Sequence, residues 1–114
     1  MRVNHLHLMV PDVPAASEFF EKYFDLKKTG GNAGLTVLQD DSGFVLTLMK
    51  RSARSVGIYP ENFHMGFFVE SEARVDEINE RMRADGYEVA RPKHEHSYSF
   101  YVSAPGGVLV EVGA

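Results

Sequence analysis

The chain has 114 residues, a length suited to one folded domain. Hydrophobic residues make up 44% and charged residues 25%, a globular profile, and the net charge of −4 argues against a nucleic-acid-binding surface. Cysteine is absent, which excludes a disulfide scaffold, a thiolate metal site and a cysteine nucleophile; no apolar run nears the roughly 20 residues that span a bilayer, and with no signal-peptide pattern at the N-terminus a cytoplasmic location without a membrane partner is expected.

Residues 2–10 alternate as a strand does, with Val3, His5, His7 and Met9 on one face and Leu6, Leu8 and Val10 on the other. Pro11 and Asp12 end it, and Pro14 suits the first turn of a helix over 14–24, whose buried stripe is Ala16, Phe19, Phe20 and Tyr23. Gly30, Gly31 and Asn32 read as a turn, with a short extra strand near 27–29. Residues 35–39 read as a strand, Asp41-Ser42-Gly43 as a hairpin turn and 44–49 as the returning strand. The stretch 51–62, with Arg51, Arg54, Gly57, Pro60 and Asn62, reads as a linker.

The pattern then restarts. Residues 63–69 are strand-like, and Ser71 caps a helix to about Ala84 with Val75, Ile78 and Met82 as its stripe. Asp85-Gly86 ends that helix, and a short strand at 88–90 matches the one at 27–29. A strand over 98–102, a turn at Pro105-Gly106-Gly107 and a strand over 108–112 close the chain.

A shift of 59 residues carries His5 onto His64, Val10 onto Val69 and Asp12 onto Ser71. A shift of 64 carries the turn glycine Gly43 and its strand onto Gly107 and its strand. The fold expected is α+β: two βαβββ modules, about 1–50 and 63–114, forming one cupped mixed-sheet domain. An unrelated α+β sandwich is the alternative. A module of about 50 residues cannot bury its sheet alone, so one face of each sheet must meet another sheet.

Under this repeat His5 and His64 begin equivalent strands, and Thr47 and Glu111 stand alike on the last strand of each module. The opposite faces of the strands bearing His5, His64 and Glu111 are apolar, which turns these three polar residues toward the cup. Two imidazoles and one carboxylate make a 2-His-1-carboxylate metal site: the imidazoles hold a borderline divalent ion, the carboxylate lowers its charge, and open positions remain for substrate.

The segments NHLHLMVPDVPAASEFFEKYF (4–24), FHMGFFVES (63–71) and SFYVSAPGGVLVEVG (99–113) give a resemblance over nearly the whole chain. His5 stands seven residues before Asp12, and Pro105 and Gly107 precede a strand carrying Glu111. In these features the chain resembles the vicinal oxygen chelate superfamily of glyoxalases, fosfomycin-modifying transferases, extradiol dioxygenases and bleomycin resistance proteins. The resemblance implies metal ligands at His5, His64 and Glu111, a homodimer, and a small-molecule substrate bound through adjacent oxygens. Iron(II) or manganese(II) is favoured, with nickel, cobalt or zinc also accepted.

Within the family, glyoxalase I carries a fourth ligand, a Glu, where this chain has Thr47. That departure favours a thiol transferase or dioxygenase over the glyoxalase I lyase reaction. In the swapped arrangement common in the family, His5 of one chain meets His64 and Glu111 of the other; a cup closed within one chain is equally open. Tyr101 resembles a pocket tyrosine that hydrogen-bonds a metal-bound oxygen. His96, in a loop with His94 around Glu95, is a candidate general base. His7, Thr47, Phe68 and Ser99 are candidate pocket residues. Lys50, Arg51 and Arg54 form a basic cluster, read as a solvated loop or an attractor of anionic substrates. The rival function is a metal-free drug- or metabolite-binding protein, with Phe44, Phe68, Tyr98 and Phe100 lining its groove.

Overall fold

A computed structural model describes residues 1–52 and 59–114; Arg54 and Gly57 of the linker lie outside the described residues. The chain runs β1 (His5–Val10), α1 (Val13–Phe24), β2 (Lys27–Asn32), β3 (Leu35–Gln39), β4 (Val45–Lys50), β5 (His64–Phe68), α2 (Glu72–Ala84), β6 (Lys93–His94), β7 (Tyr98–Ser103) and β8 (Leu109–Gly113). These form two four-stranded mixed sheets, ordered β1-β4-β3-β2 and β5-β8-β7-β6. The expected α+β fold of two βαβββ modules is present. Two compact units result: Met1–Ile58 with Pro105–Gly107, and Tyr59–Ala104 with Val108–Ala114.

In the first unit β1 pairs with β4 in parallel, and β3 pairs antiparallel with both β4 and β2. Helix α1 starts where Asp12 accepts the Ala15 N–H at 3.0 Å, and it ends at Asp25 in the left-handed region (φ 54°). Its stripe of Ala16, Phe19, Phe20 and Tyr23 is buried with Leu8, Val10, Leu38, Leu46 and Leu48 of the sheet. Edge-to-face ring contacts join Phe19 to Phe20 and Tyr23. At the Asp41-Ser42-Gly43 turn, Asp40 accepts hydrogen bonds from the Ser42 N–H and hydroxyl and from the Phe44 N–H. Burial pulls the Asp40 carboxyl upward, but these hydrogen bonds outweigh it and hold the group below its usual range.

The expected turn at Gly30, Gly31 and Asn32 is instead the end of β2, and the extra strand is longer than 27–29. Gly31 has φ 130°, and a Cβ there would lie 2.2 Å from the Leu35 carbonyl oxygen. Glycine thus serves close strand approach rather than a turn. The chain reverses one step later, at Ala33 and Gly34, where Asn32 accepts the Gly34 N–H at 3.0 Å. Pairing with β3 shifts register between Lys28 and Gly30, a bulge that sequence alternation does not reveal.

In the second unit β5 pairs with β8 in parallel, and β7 pairs antiparallel with both β8 and β6. Ser71 caps α2 by accepting the Arg74 N–H, and Gly86 (φ 95°) follows its end. Val75, Ile78 and Met82 are buried as expected, together with Asn79. The expected strand at 88–90 is absent: the Asn79 side-chain amide donates to the Ala90 carbonyl at 2.8 Å, and the Arg83 guanidinium donates to the Val89 carbonyl at 3.2 Å. Side chains of α2 take the carbonyls that a strand partner would need. The short strand forms later, as β6, so His94 lies in a strand rather than a loop.

Candidate functional site

Strand pairing decides which side chains share a face. In the second unit, Gly66 stands beside Glu111 and Glu111 beside Tyr101; Phe68 stands beside Gly113 and Gly113 beside Ser99. His64, two residues before Gly66, is on the same face. The alternate residues Phe100, Val102, Val110 and Val112 are buried on the α2 side. His64, Glu111 and Tyr101 therefore stand on the face turned away from the helix.

The three side chains meet. His64 Nε2 lies 3.7 Å from Glu111 Oε2, and the imidazole meets the Tyr101 ring edge-on, with centroids 5.5 Å apart. The other imidazole nitrogen, Nδ1, lies 2.8 Å from the Asn62 carbonyl oxygen. A carbonyl can only accept, so Nδ1 carries a proton, and the ring turns its Nε2 toward Glu111. Asn62 itself is left-handed, with φ 67°. In the sequence Asn62 is a linker residue only, because a backbone carbonyl acting through local conformation leaves no side-chain signal.

Burial and the adjacent Glu111 carboxylate hold the Tyr101 hydroxyl above its usual pKa, with a smaller contribution from Glu95. Tyr101 is thus a neutral phenol that donates toward Glu111. Phe68 is largely exposed, yet its ring settles over a glycine: a Cβ on Gly113 would come within 3.2 Å of Phe68 Cε1, Ser97 Oγ and Ser99 Cβ. Ser99 is buried beneath this edge of the site.

The first unit presents a parallel arrangement. His5 stands beside Val45, His7 beside Thr47 and Met9 beside Met49, all away from α1. His5 Nδ1 lies 2.7 Å from Asn4 Oδ1, and His7 Nδ1 lies 2.6 Å from Thr47 Oγ1. The Thr47 hydroxyl also donates to the Leu6 carbonyl at 3.4 Å.

Other candidates are placed elsewhere. His94 points to the α2 side, with Nε2 3.5 Å from Glu72 and its ring 4.7 Å from that of Tyr98. Tyr98 donates to Asp76 at 2.7 Å; this hydrogen bond, then burial, then the charges of Asp76 and Glu72 raise its pKa. Phe100 is a core residue. Tyr98 and Phe100 therefore do not line a groove with Phe68: the strand alternation that aims Tyr101 at Glu111 turns both toward α2. His96 is exposed at the bend between β6 and β7, beside Glu95, and is not gathered with His64 and Glu111. Among the described residues no group of three or more His, Cys, Asp or Glu side chains gathers to hold a metal ion. Each unit carries a partial donor set.

The model of the Glyoxalase/Bleomycin resistance protein/Dioxygenase superfamily matches residues 2–112. The chain belongs to that superfamily. Its structure is similar to that of a possible glyoxalase from Bacillus cereus, with 49% identity and a TM-score of 0.93, covering 100% of this chain and 99% of that one. It is also similar to lactoylglutathione lyase from Agrobacterium tumefaciens, with 25% identity and a TM-score of 0.77, covering 98% and 92%. A mutant of the fosfomycin resistance protein FosX from Listeria monocytogenes, complexed with Mn(II) and 1S,2S-dihydroxypropylphosphonic acid, shares the fold at 23% identity and a TM-score of 0.80, covering 99% and 91%. No curated protein matches the chain. No helix among the described residues is long and apolar enough to cross a membrane.

Proposed function

We propose that this superfamily member is a divalent-metal-dependent enzyme acting on a small molecule, with His5, His64 and Glu111 as metal ligands in a homodimer. The observation that carries the reading is the orientation of His64. Its Nδ1–H is spent on the Asn62 carbonyl, and its Nε2 faces a carboxylate 3.7 Å away. A metal ligand needs this arrangement: a fixed tautomer with its lone pair beside an anionic donor. His5 supports the reading, because Asn4 Oδ1 accepts from its Nδ1 and leaves Nε2 for a cation. The donor set of imidazole nitrogens and one carboxylate suits iron(II) or manganese(II), and nickel, cobalt or zinc as well. The Mn(II) in the FosX complex is in keeping with this choice.

Bound there, a divalent cation supplies Lewis acidity to adjacent oxygens of the substrate. The protein's own residues do the rest. Glu111 lowers the charge of the site, and Tyr101, a phenol whose proton is directed to Glu111, holds that carboxylate in place. Phe68, spread over Gly113, walls one side with apolar surface, and Ser99 packs beside the same glycine. Thr47 brings no carboxylate to the position where glyoxalase I has one, so an epoxide-opening transfer or a dioxygenase reaction suits the site better than the glyoxalase I reaction.

Metal analysis and thermal unfolding test this. Wild-type protein is expected to bind one equivalent of Mn(II) or Fe(II) per chain and to lose thermal stability with chelator. His5→Ala and Glu111→Gln are each expected to weaken binding by more than the roughly 10–100-fold that removing an outer hydrogen-bond partner costs. Unchanged stoichiometric binding in both variants, or a wild type indifferent to metal and chelator, overturns the assignment and leaves a metal-free binding protein.

A further inference from the structure

Strand β1 carries two imidazoles on one face, and both are engaged at the same nitrogen. His5 Nδ1 lies 2.7 Å from the Asn4 side-chain oxygen, which can only accept. His7 Nδ1 lies 2.6 Å from the Thr47 hydroxyl oxygen, and that hydroxyl directs its own proton to the Leu6 carbonyl at 3.4 Å. With its own proton so directed, the Thr47 oxygen can accept the His7 Nδ1–H. Engaged at Nδ1, both rings leave Nε2 as the nitrogen that can bind a cation, and both side chains are exposed.

Residues two apart on a strand stand about 6.5–7 Å apart and point the same way. From that spacing two imidazoles can converge on one cation at bond lengths of about 2.0–2.1 Å. Thr47, paired with His7 across β1 and β4, fixes the ring while being a poor ligand itself. At the equivalent position of the second unit the pair is Gly66 and Glu111, so the imidazole of His7 has no counterpart there.

We infer that His7 is a second imidazole ligand from β1, oriented by Thr47, so that the first unit grips the cation through His5 and His7 together. This rests on the metal reading above. Three imidazoles and one carboxylate leave one open position fewer than His5, His64 and Glu111 alone. They also move the preference from manganese toward ions that favour nitrogen: zinc, nickel, cobalt and copper.

Cu(II) bound to the full-length protein is the probe, because the superhyperfine splitting in its electron paramagnetic resonance spectrum counts coordinated nitrogens. The wild type is expected to show three imidazole nitrogens and His7→Ala two, with affinity for Cu(II) and Zn(II) lowered at least about 10-fold. Thr47→Val is expected to keep three nitrogens while binding about 10-fold more weakly, as loss of an orienting hydrogen bond does. If His7→Ala matches the wild type in nitrogen count and affinity while His5→Ala loses a nitrogen, His7 is not a ligand and the three-residue centre stands. If His5→Ala and Glu111→Gln also bind as the wild type does, the metal reading and this inference fall together.

Discussion

The two modules are built on one register and differ in what they place on it. His5 stands beside Val45 as His64 stands beside Leu109, and His7 beside Thr47 as Gly66 beside Glu111. Behind these faces the strands are equally apolar: Leu46 and Leu48 in one module match Val110 and Val112 in the other, all fully buried. The face against the helix is thus constrained alike in both copies, because a polar group there loses its water without a partner. The face away from the helix is free to diverge. The first module places an imidazole and a hydroxyl where the second places a bare backbone and a carboxylate. A duplicated scaffold keeps its packing rules and lets only its exposed rows acquire chemistry.

The helices sharpen the contrast. Helix α1 buries an aromatic cluster of Phe19, Phe20 and Tyr23, whereas α2 buries the thinner stripe Val75, Ile78 and Met82 with Asn79. One Asn79 amide hydrogen bonds the Ala90 carbonyl, and its Oδ1 is buried without a protein partner. That stretch of the second module is held by side chains of α2 rather than by a strand partner.

The largest expected effect breaks the shared packing. Leu46→Ala should cost about 2–5 kcal/mol in denaturant unfolding. Its counterpart Val110→Ala should cost less, because it removes fewer buried carbons. An equal or inverted pair of losses would show that the two sheets are not equivalently packed. Next come the helix caps. Asp12→Ala and Ser71→Ala each remove one side-chain acceptor from a first-turn N–H, at 3.0 and 3.2 Å, and each should cost about 1 kcal/mol. A clear inequality between them would mark where the modules diverge in their local ends.

The smallest effect concerns the two tyrosines of β7, which face opposite sides. Tyr98 should titrate above 10.0, and Asp76→Asn should bring it back toward that value, read as the tyrosinate absorbance that Tyr98→Phe removes. The sign follows from linkage. A phenol whose folded pKa lies above its unfolded value contributes stability that is fully present below about pH 10 and is lost as pH rises through the folded pKa. Asp76→Asn should leave the Tyr101 titration unmoved, because that group answers to Glu111 on the other face.

Much of this protein was legible in its residues. The alternation of 2–10 gives the buried Leu8 and Val10 and the open His5 and His7, and both helix stripes and the Ser71 cap follow from spacing and residue type; the cap at Asp12, read as the end of the strand, emerges only in its bond to the Ala15 N–H. Two glycines act in ways that their neighbours in the chain do not signal. Gly31 reads as a turn signal, yet it serves a close strand approach. Gly113 carries no signal at all, yet its missing Cβ admits the Phe68 ring. The strand expected at 88–90 failed because two side chains of α2 claim its carbonyls, a competition that local propensity does not contain.

The repeat, the two faces of each strand and the kinds of donor on them follow from residue order alone, because the periods of helix and strand fix which side chains point together. The three-dimensional fold sets which nitrogen of each imidazole is engaged and by what. It also decided that Tyr101 rather than Tyr98 stands beside Glu111, and that Thr47 is occupied by His7. Those facts depend on strand register and on single backbone carbonyls such as that of Asn62, and neither is written in any local run of residues.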